Sequence, residues 1–370
     1  MTDFRTRKLI RTVKSKPLED APNFTTSEVI ARIKKAKASK AFGPDGMSSL
    51  HLKHLGPRGI QFLTTIFNAS LRYCQIPAIW KTSYVIPLPK GGKDPNLAAS
   101  YRPVSLLCPA VKILEALLLP SIVEHLPPVS HQHGFRPRHS TTSALLKLTT
   151  DIASGFNQKK PASRTVVVAL DLTKAFDSVD HRTLIELVSN STLPSATTRW
   201  LSCYLRGRQA KTIFRDTMST ARIVRTGVPQ GSVISPSLFN AYIRDLPTPP
   251  EGVNIVSYAD DITVYASGSN IVQCTALINE YLKILAEFLD DRLLKVSVAK
   301  STVTLFTPDN SQARSHPQVK LNGNVLPLEK RPKLLGVVFD TKFTFAEHAN
   351  TTTAKVRRRN NIIRALAGTG

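Results

Sequence analysis

Residues 165–172 read Thr-Val-Val-Val-Ala-Leu-Asp-Leu, a run of β-branched and apolar side chains with no polar interruption until Asp171. Such a run predicts a strand buried on both faces, since a half-exposed strand would alternate polar with apolar positions. A second pair of short strands, Val253–Ser257 and Ile262–Tyr265, brackets a tight turn at Tyr258-Ala259-Asp260-Asp261. Three acids, Asp171, Asp260 and Asp261, are thereby set within or beside apolar strands. An unpaired buried charge is costly, so the fold must both close an apolar sheet and find a partner for these carboxylates.

The pattern around these strands is mixed. Thr25-Thr26-Ser27-Glu28 has capping-box spacing, Phe24 and Val29 are placed as a staple, and Val29, Ile30 and Ile33 make an apolar stripe. Lys34, Lys35, Lys37 and Lys40 fall off that stripe, either as a solvated face or as one turned to nucleic acid. Gly43-Pro44-Asp45-Gly46 ends this helix. Further helices are predicted at about 58–73, 110–119 (closing at Pro120), 141–153, 181–190, 195–206, 275–290 and 347–368. Strands are predicted at 83–88, 302–306 and 334–339, and as a hairpin of 209–214 with 222–225. Ser235-Pro236 opens another helix, with serine at the cap and proline in the first turn.

Lysine and arginine number 50 against 26 acidic residues, a net charge of +24, while 42% of residues are hydrophobic. That apolar fraction argues against disorder, and the charge points to a polyanionic partner, nucleic acid first. The first 60 residues hold 13 basic and 5 acidic side chains, and the last 20 hold 5 basic and no acidic ones. Binding by such strips should depend on salt and be largely blind to sequence. The 4 cysteines include no CxxC pair, which argues against a zinc ribbon or disulfide scaffold and fits a reducing compartment. No apolar run approaches a membrane span and no signal peptide is visible. The expected location is therefore intracellular, in nucleus, cytoplasm or both, with neither secretion nor a membrane.

Magnesium takes hard oxygen ligands and usually combines one or two carboxylates with substrate phosphates. Two such ions about 3.5–4 Å apart would clamp the attacking 3′-hydroxyl and leaving pyrophosphate of a phosphoryl transfer. Alone, an Asp-Asp turn is more readily structural, because the turn favours Asp through its own hydrogen bonds. What changes the balance is the company these acids keep. In order stand Lys40–Gly46 (KAFGPDG), Tyr101–Leu107 (YRPVSLL), and His133–Pro137 (HGFRP) with Ser140-Thr141-Thr142. Then come Leu170–His181 (LDLTKAFDSVDH), Gly227–Ser232 (GVPQGS), Tyr258–Asp261 (YADD), Leu294–Phe306 and Leu334–Val337 (LLGV).

This series resembles the reverse transcriptases of non-LTR retrotransposons, the long interspersed elements, from about residue 27 to 345. The last five segments resemble motifs A to E, and the first departs from the family only in Phe42, where proline is usual. The resemblance implies an RNA-directed DNA polymerase that adds deoxynucleotides to a primer 3′-hydroxyl by two-metal phosphoryl transfer, for retrotransposition. Its implied cofactor is a pair of Mg2+ ions, with Mn2+ able to substitute. The implied partners are an RNA template, a DNA primer, dNTPs and the element's own transcript in a ribonucleoprotein; the oligomeric state is left open. The implied fold class is α+β, a right hand. Residues 1–23 form a basic flexible lead-in, 24–164 mixed α/β fingers, 165–345 an antiparallel-sheet palm flanked by helices, and 346–370 the start of a truncated thumb.

Roles follow for individual residues. Asp171 would ligate both metals, with the Leu172 carbonyl as an extra ligand; Asp260 is the second essential ligand and Asp261 stands beside it. Phe176 would lie under the incoming sugar and exclude a 2′-hydroxyl, although by position alone it reads equally as a core aromatic. Gln230 and Gly231 would meet the nucleotide, the glycine permitting close backbone approach, whereas a turn glutamine can also simply cap backbone. Arg102 and Lys90 would grip the triphosphate, arginine by its planar fork, with Lys93 a competitor for Lys90. Lys300 would protonate the leaving pyrophosphate, against the plainer reading of a solvated lysine.

His131, His133 and His139 cluster without a cysteine, and a metal role for them is set aside. Arg357-Arg358-Arg359 reads as part of a basic helix facing nucleic acid. The chain starts near the first motif and stops soon after the last, so endonuclease, RNase H and zinc-knuckle segments are not expected in it. Two rival readings stay open. One is a noncatalytic nucleic-acid-binding remnant; the other is a different reverse transcriptase lineage, a maturase or telomerase, against which the AFDSVDH string speaks.

Overall fold

A computed structural model of the chain describes residues 21–158, 161–312 and 315–368, so almost all of the expected lead-in lies outside the described residues. The elements begin with α1 (Thr26–Lys35), α2 (Ser49–Lys53), α3 (Pro57–Tyr73), β1 (Thr82–Pro89), β2 (Tyr101–Leu106), α4 (Pro109–His125) and α5 (Thr141–Phe156). They continue with β3 (Arg164–Thr173), α6 (Ala175–Ser178), α7 (His181–Ser189), α8 (Ser195–Leu205), β4 (Arg208–Phe214), β5 (Thr217–Met218), β6 (Arg222–Val224) and α9 (Ser235–Tyr242). Then follow β7 (Val253–Tyr258), β8 (Asp261–Gly268), α10 (Ile271–Asp291), β9 (Lys295–Val296) and β10 (Thr302–Phe306). The series closes with β11 (Lys320–Leu321), β12 (Asn324–Val325), β13 (Lys333–Leu334), β14 (Val337–Val338) and α11 (Ala346–Ala367). The described parts of Met1–Val129 and Lys174–Asp245 form one compact unit, and those of Ser130–Thr173 and Leu246–Gly370 another.

In the first unit, α1 starts as its sequence dictates but ends at Lys35, well ahead of the expected stop at Gly43–Gly46. The Thr25 hydroxyl accepts from the Glu28 N–H and the Glu28 carboxylate accepts from the Thr25 N–H, a complete capping box that buries Val29 and Ile33. Helix α4 departs from expectation: it runs through Pro120 to His125 instead of closing at the proline. A proline in mid-helix removes one hydrogen bond and crowds a carbonyl, a cost of about 3 kcal/mol. Here Leu114, Leu117, Leu118 and Ile122 are all buried around it, and that burial outweighs the local cost. The sheet of this unit is mixed, in the order β2-β1-β4-β5 with β6 also on β4. β1 is antiparallel to β2 and parallel to β4, and the expected hairpin appears as Arg208↔Val224 and Gln209↔Ile223. Helix α9 begins at Ser235 with Ile234 at the cap, not Ser235 as the sequence pattern suggested. The capping hydroxyl belongs to Ser232, whose oxygen accepts from the N–H groups of Ile234 and Ser235, both at 3.2 Å.

The second unit is organised on the Val-rich run. Its sheet is antiparallel throughout, in the order β10-β3-β8-β7, with β9 extending β3 at its end. β3 is therefore interior, and successive valines point to opposite faces. Val166, Val167 and Val168 are each no more than 2% exposed, so both faces are covered, as a run without alternation requires. Val167 joins a core with Ala144, Leu148 and Ile152 of α5, and with Val256, Tyr265, Phe306 and Phe339. Helix α10 turns Ile278, Tyr281, Leu282, Leu285 and Leu289 inward. By contrast α11, the basic helix expected near 347–368, buries none of its side chains. Among the described residues no helix is long and apolar enough to cross a membrane.

Candidate active site

The antiparallel ladder fixes the acids. In the β3–β8 register Asp171 lies directly opposite Asp261, and in the β7–β8 register Tyr258 lies opposite Asp261. Ala259 and Asp260 are left as the two residues of the hairpin turn. Ala259 sits at φ +57°, a left-handed backbone that two-residue hairpins demand and that a non-glycine residue adopts only when held there. Asp261 is exposed, yet partial desolvation by the protein around it pushes its carboxyl up to about 6, and the charges of Asp260 and Asp171 push in the same direction. Three mutually repelling carboxylates at one strand end are a hard-oxygen set that a divalent cation would relieve. Among the described residues no three metal-ligating side chains of His, Cys, Asp or Glu form a cage. Mg2+ does not require one, because it ordinarily completes its shell with substrate phosphates and water.

The main chain of Asp171 is held by the segment after β9. Its N–H donates to the Ser301 hydroxyl at 3.1 Å and its carbonyl accepts from the Ser297 N–H at 2.8 Å. The same segment sets the Lys300 ammonium 3.5 Å from the Asp171 carboxylate, with both side chains well exposed, 68% and 42%. An ion pair so exposed contributes about 0–1 kcal/mol. Leu172 is buried and pairs with Val296.

One residue of this site went unread in the sequence. Gln132, 1% exposed, accepts through its side-chain oxygen from the N–H of Ala259 at 2.8 Å and of Gly134 at 2.7 Å, and its amide donates to the Ala259 carbonyl at 3.2 Å. It thus grips both polar groups of the residue that carries the turn's left-handed backbone. Gly134 is small of necessity, since a Cβ there would come within 2.3 Å of the Ala259 nitrogen. The only signal available was a glutamine two residues ahead of a glycine; its partner in the turn, Ala259, lies 127 residues away. His133 of the same segment meets the Ser143 hydroxyl at 3.0 Å and the His139 ring edge-on at 5.2 Å.

The remaining candidates lie in the other unit. Gly227 has φ +87°, and a Cβ on it would meet the Asp177 backbone at 2.8 Å; Gly231 has φ +130°, and a Cβ would meet the Ser105 carbonyl at 2.5 Å. Neither position tolerates a side chain. The turn is bound to the residues that follow β3: Gly227 N–H donates to the Val179 carbonyl at 2.7 Å and Val228 N–H to that of Phe176 at 2.8 Å. The buried His181 ring meets the Gly227 carbonyl at 2.7 Å through Nε2. Gln230 receives the Ser105 N–H on its carbonyl and donates its side-chain amide to Asp177 at 3.1 Å, whose carboxyl burial pushes upward. The Phe176 ring, half-buried, stacks on Phe239 with centroids 4.6 Å apart. Arg102 pairs with Leu88 across the β1–β2 hairpin, and Lys90 follows the same end, its ammonium donating to the Ala99 carbonyl at 2.9 Å; both side chains are exposed.

Comparison with known proteins gives one family match. A family profile described as reverse transcriptase (RNA-dependent DNA polymerase) matches residues 88–339. Among curated proteins, the chain is 32% identical over 350 residues to the probable RNA-directed DNA polymerase from transposon BS of Drosophila melanogaster. It is 30% identical over 344 residues to that from transposon X-element, and 30% over 337 residues to the RNA-directed DNA polymerase from mobile element jockey, both of the same fly. These alignments cover 92%, 91% and 88% of this chain but only 38%, 37% and 36% of the relatives.

Proposed function

The chain belongs to the reverse transcriptase (RNA-dependent DNA polymerase) family, and on that premise we propose that it is the polymerase portion of a non-LTR retrotransposon protein. The reaction is RNA-directed DNA synthesis, in which the α-phosphate of a dNTP is transferred to a primer 3′-hydroxyl and pyrophosphate leaves. The observation that carries it is the pairing of Asp171 with Asp261 across the β3–β8 ladder, with Asp260 in the adjoining turn. Asp171 and Asp260, with the Leu172 carbonyl and Asp261 beside them, would hold two Mg2+ ions, or Mn2+ in their place. When bound, such ions activate the attacking hydroxyl and neutralise charge on the leaving group.

The chain's own part is positioning. Gln132 fixes the turn that carries Asp260, and the Ser297–Ser301 segment fixes the backbone of Asp171. Gln230 and Gly231 would meet the nucleotide, Phe176 would lie under its sugar, and Arg102 with Lys90 would take the triphosphate. Lys300, beside Asp171, would give its proton to the departing pyrophosphate. Residues 24–164 would serve as fingers, 165–345 as palm, and 346–370 as the start of the thumb. The template is RNA, the primer DNA, and the working state a ribonucleoprotein inside the cell.

Primer extension on an RNA template with Mg2+ tests this, with Asp260→Asn as control. Wild type should add deoxynucleotides and the variant should not. Equally poor incorporation by both would leave a nucleic-acid-binding remnant as the better account.

A further inference from the structure

Helix α4 carries one acid on a buried face. Glu115 is 0% exposed, and three donors converge on its carboxylate. Oε1 accepts from the Tyr204 hydroxyl at 2.5 Å, and Oε2 accepts from the Ser232 hydroxyl at 2.9 Å and the Val233 N–H at 2.6 Å. The Ser232 oxygen passes the connection on to the Ile234 and Ser235 N–H groups that open α9. Tyr204 in turn has the Arg208 guanidinium 4.6 Å above its ring centroid. Arg208 is 2% exposed, and among the described residues neither of its terminal nitrogens has a hydrogen-bond partner. Its charge is felt at Glu115, where burial drives the carboxyl pKa upward while the three hydrogen bonds and Arg208 oppose that.

A carboxylate is an expensive way to fill space on an apolar helix. An apolar residue in its place would strand the Ser232 and Tyr204 hydroxyls and the Val233 amide without an acceptor, and leave Arg208 without its nearby anion. What the arrangement secures is the far end of the Gly227–Ser232 turn. Ser105 and Asp177 hold Gln230 from one side, and Glu115 holds Ser232 and Val233 from the other. We propose that Glu115 is a positioning residue for this turn, holding Gln230 and Gly231 in the backbone course that presents them to an incoming nucleotide. The nucleotide part rests on the polymerase function proposed above; the positioning part does not.

Two measurements on the full chain separate them. Hydrogen exchange on the unliganded protein compares wild type with Glu115→Gln, which removes the charge and one acceptor, and with Ser232→Ala, which cuts a single link. The Val233, Ile234 and Ser235 amides should exchange about tenfold faster in Glu115→Gln, as loss of one charge-assisted hydrogen bond predicts, while amides inside α4 and α8 keep their wild-type rates. Ser232→Ala should act in the same direction on Ile234 and Ser235, and it decides the matter if Glu115→Gln does not fold. Faster exchange spread evenly over α4, α8 and α9, or unchanged exchange at 233–235, would overturn the proposal. In primer extension the KM for dNTP should rise about tenfold while kcat changes little, and an unchanged KM beside altered exchange would overturn the nucleotide part. Should wild type itself fail to extend a primer, the polymerase function falls and the exchange data still decide whether Glu115 positions the turn.

Discussion

At the scale of single residues, the candidate site depends on side chains that hold its backbone in place. Gln132 is the sharpest instance, because the left-handed backbone of Ala259 is held by both ends of its amide. Gln132→Ala should lower the rate of primer extension at least about tenfold and cost about 1–3 kcal/mol of stability, the penalty for leaving buried polar groups unpaired. Extension assays and urea unfolding read the two effects, and wild-type extension by the variant would contradict the role. His181 gives a pH prediction with a defined sign. Burial holds its imidazole below the ordinary value of 6.5, while contact with the Gly227 carbonyl and the charge of Asp180 oppose that only in part. The unfolded chain therefore takes up a proton near 6.5 and the native ring only at lower pH. The stabilisation from neutral His181 is present above 6.5 and lost as pH falls through the native value. Urea midpoints at pH 8, 6.5 and 5.5 should drop more steeply for wild type than for His181→Gln. Parallel curves would remove this residue from the titration.

At the scale of elements, legibility in the sequence tracked how local the cause was. The Thr25 cap, the β3 run and the two-residue turn before Asp261 all follow from neighbouring residues, and their bounds hold within a position or two. Pro120 and Ser235 misled, because the continuation of α4 and the start of α9 are decided by burial and by Ser232, not by the residue at the break. The same distinction separates α10 from α11. Ile278 of α10 is 0% exposed, whereas Ile362 of α11 is 55% exposed. Ile278→Ala should cost about 2–5 kcal/mol in urea unfolding, the loss of transfer energy plus a cavity. Ile362→Ala should stay within about 0.5 kcal/mol. A large effect at Ile362 would mean that α11 packs on something in solution.

At the scale of the whole molecule, the +24 charge and the three acids act on different problems. The order of the motifs along the chain made the acids and the family legible. The grouping of 130–173 with 246–368 did not emerge, because which segments share a unit is set by pairings distant in sequence, such as Asp171 with Asp261 and Thr165 with Phe306. The charge is legible in composition alone and bears on binding, not on fold. Lys355, Arg357, Arg358, Arg359 and Arg364 stand on α11, which buries no side chain, so these cations remain available to phosphates. If they grip a duplex, the logarithm of the binding constant should fall linearly with the logarithm of salt, and each phosphate contact should add about 0.9 to the slope. Replacing Lys355, Arg357, Arg358 and Arg359 by alanine should flatten that slope for a primed RNA template in anisotropy titrations and weaken all template sequences alike. Asp260→Asn, which removes an acid from the sheet and no cation from the helix, should leave the slope unchanged while abolishing extension. An unaltered slope in the fourfold variant would assign the phosphate contacts to cations elsewhere on the chain.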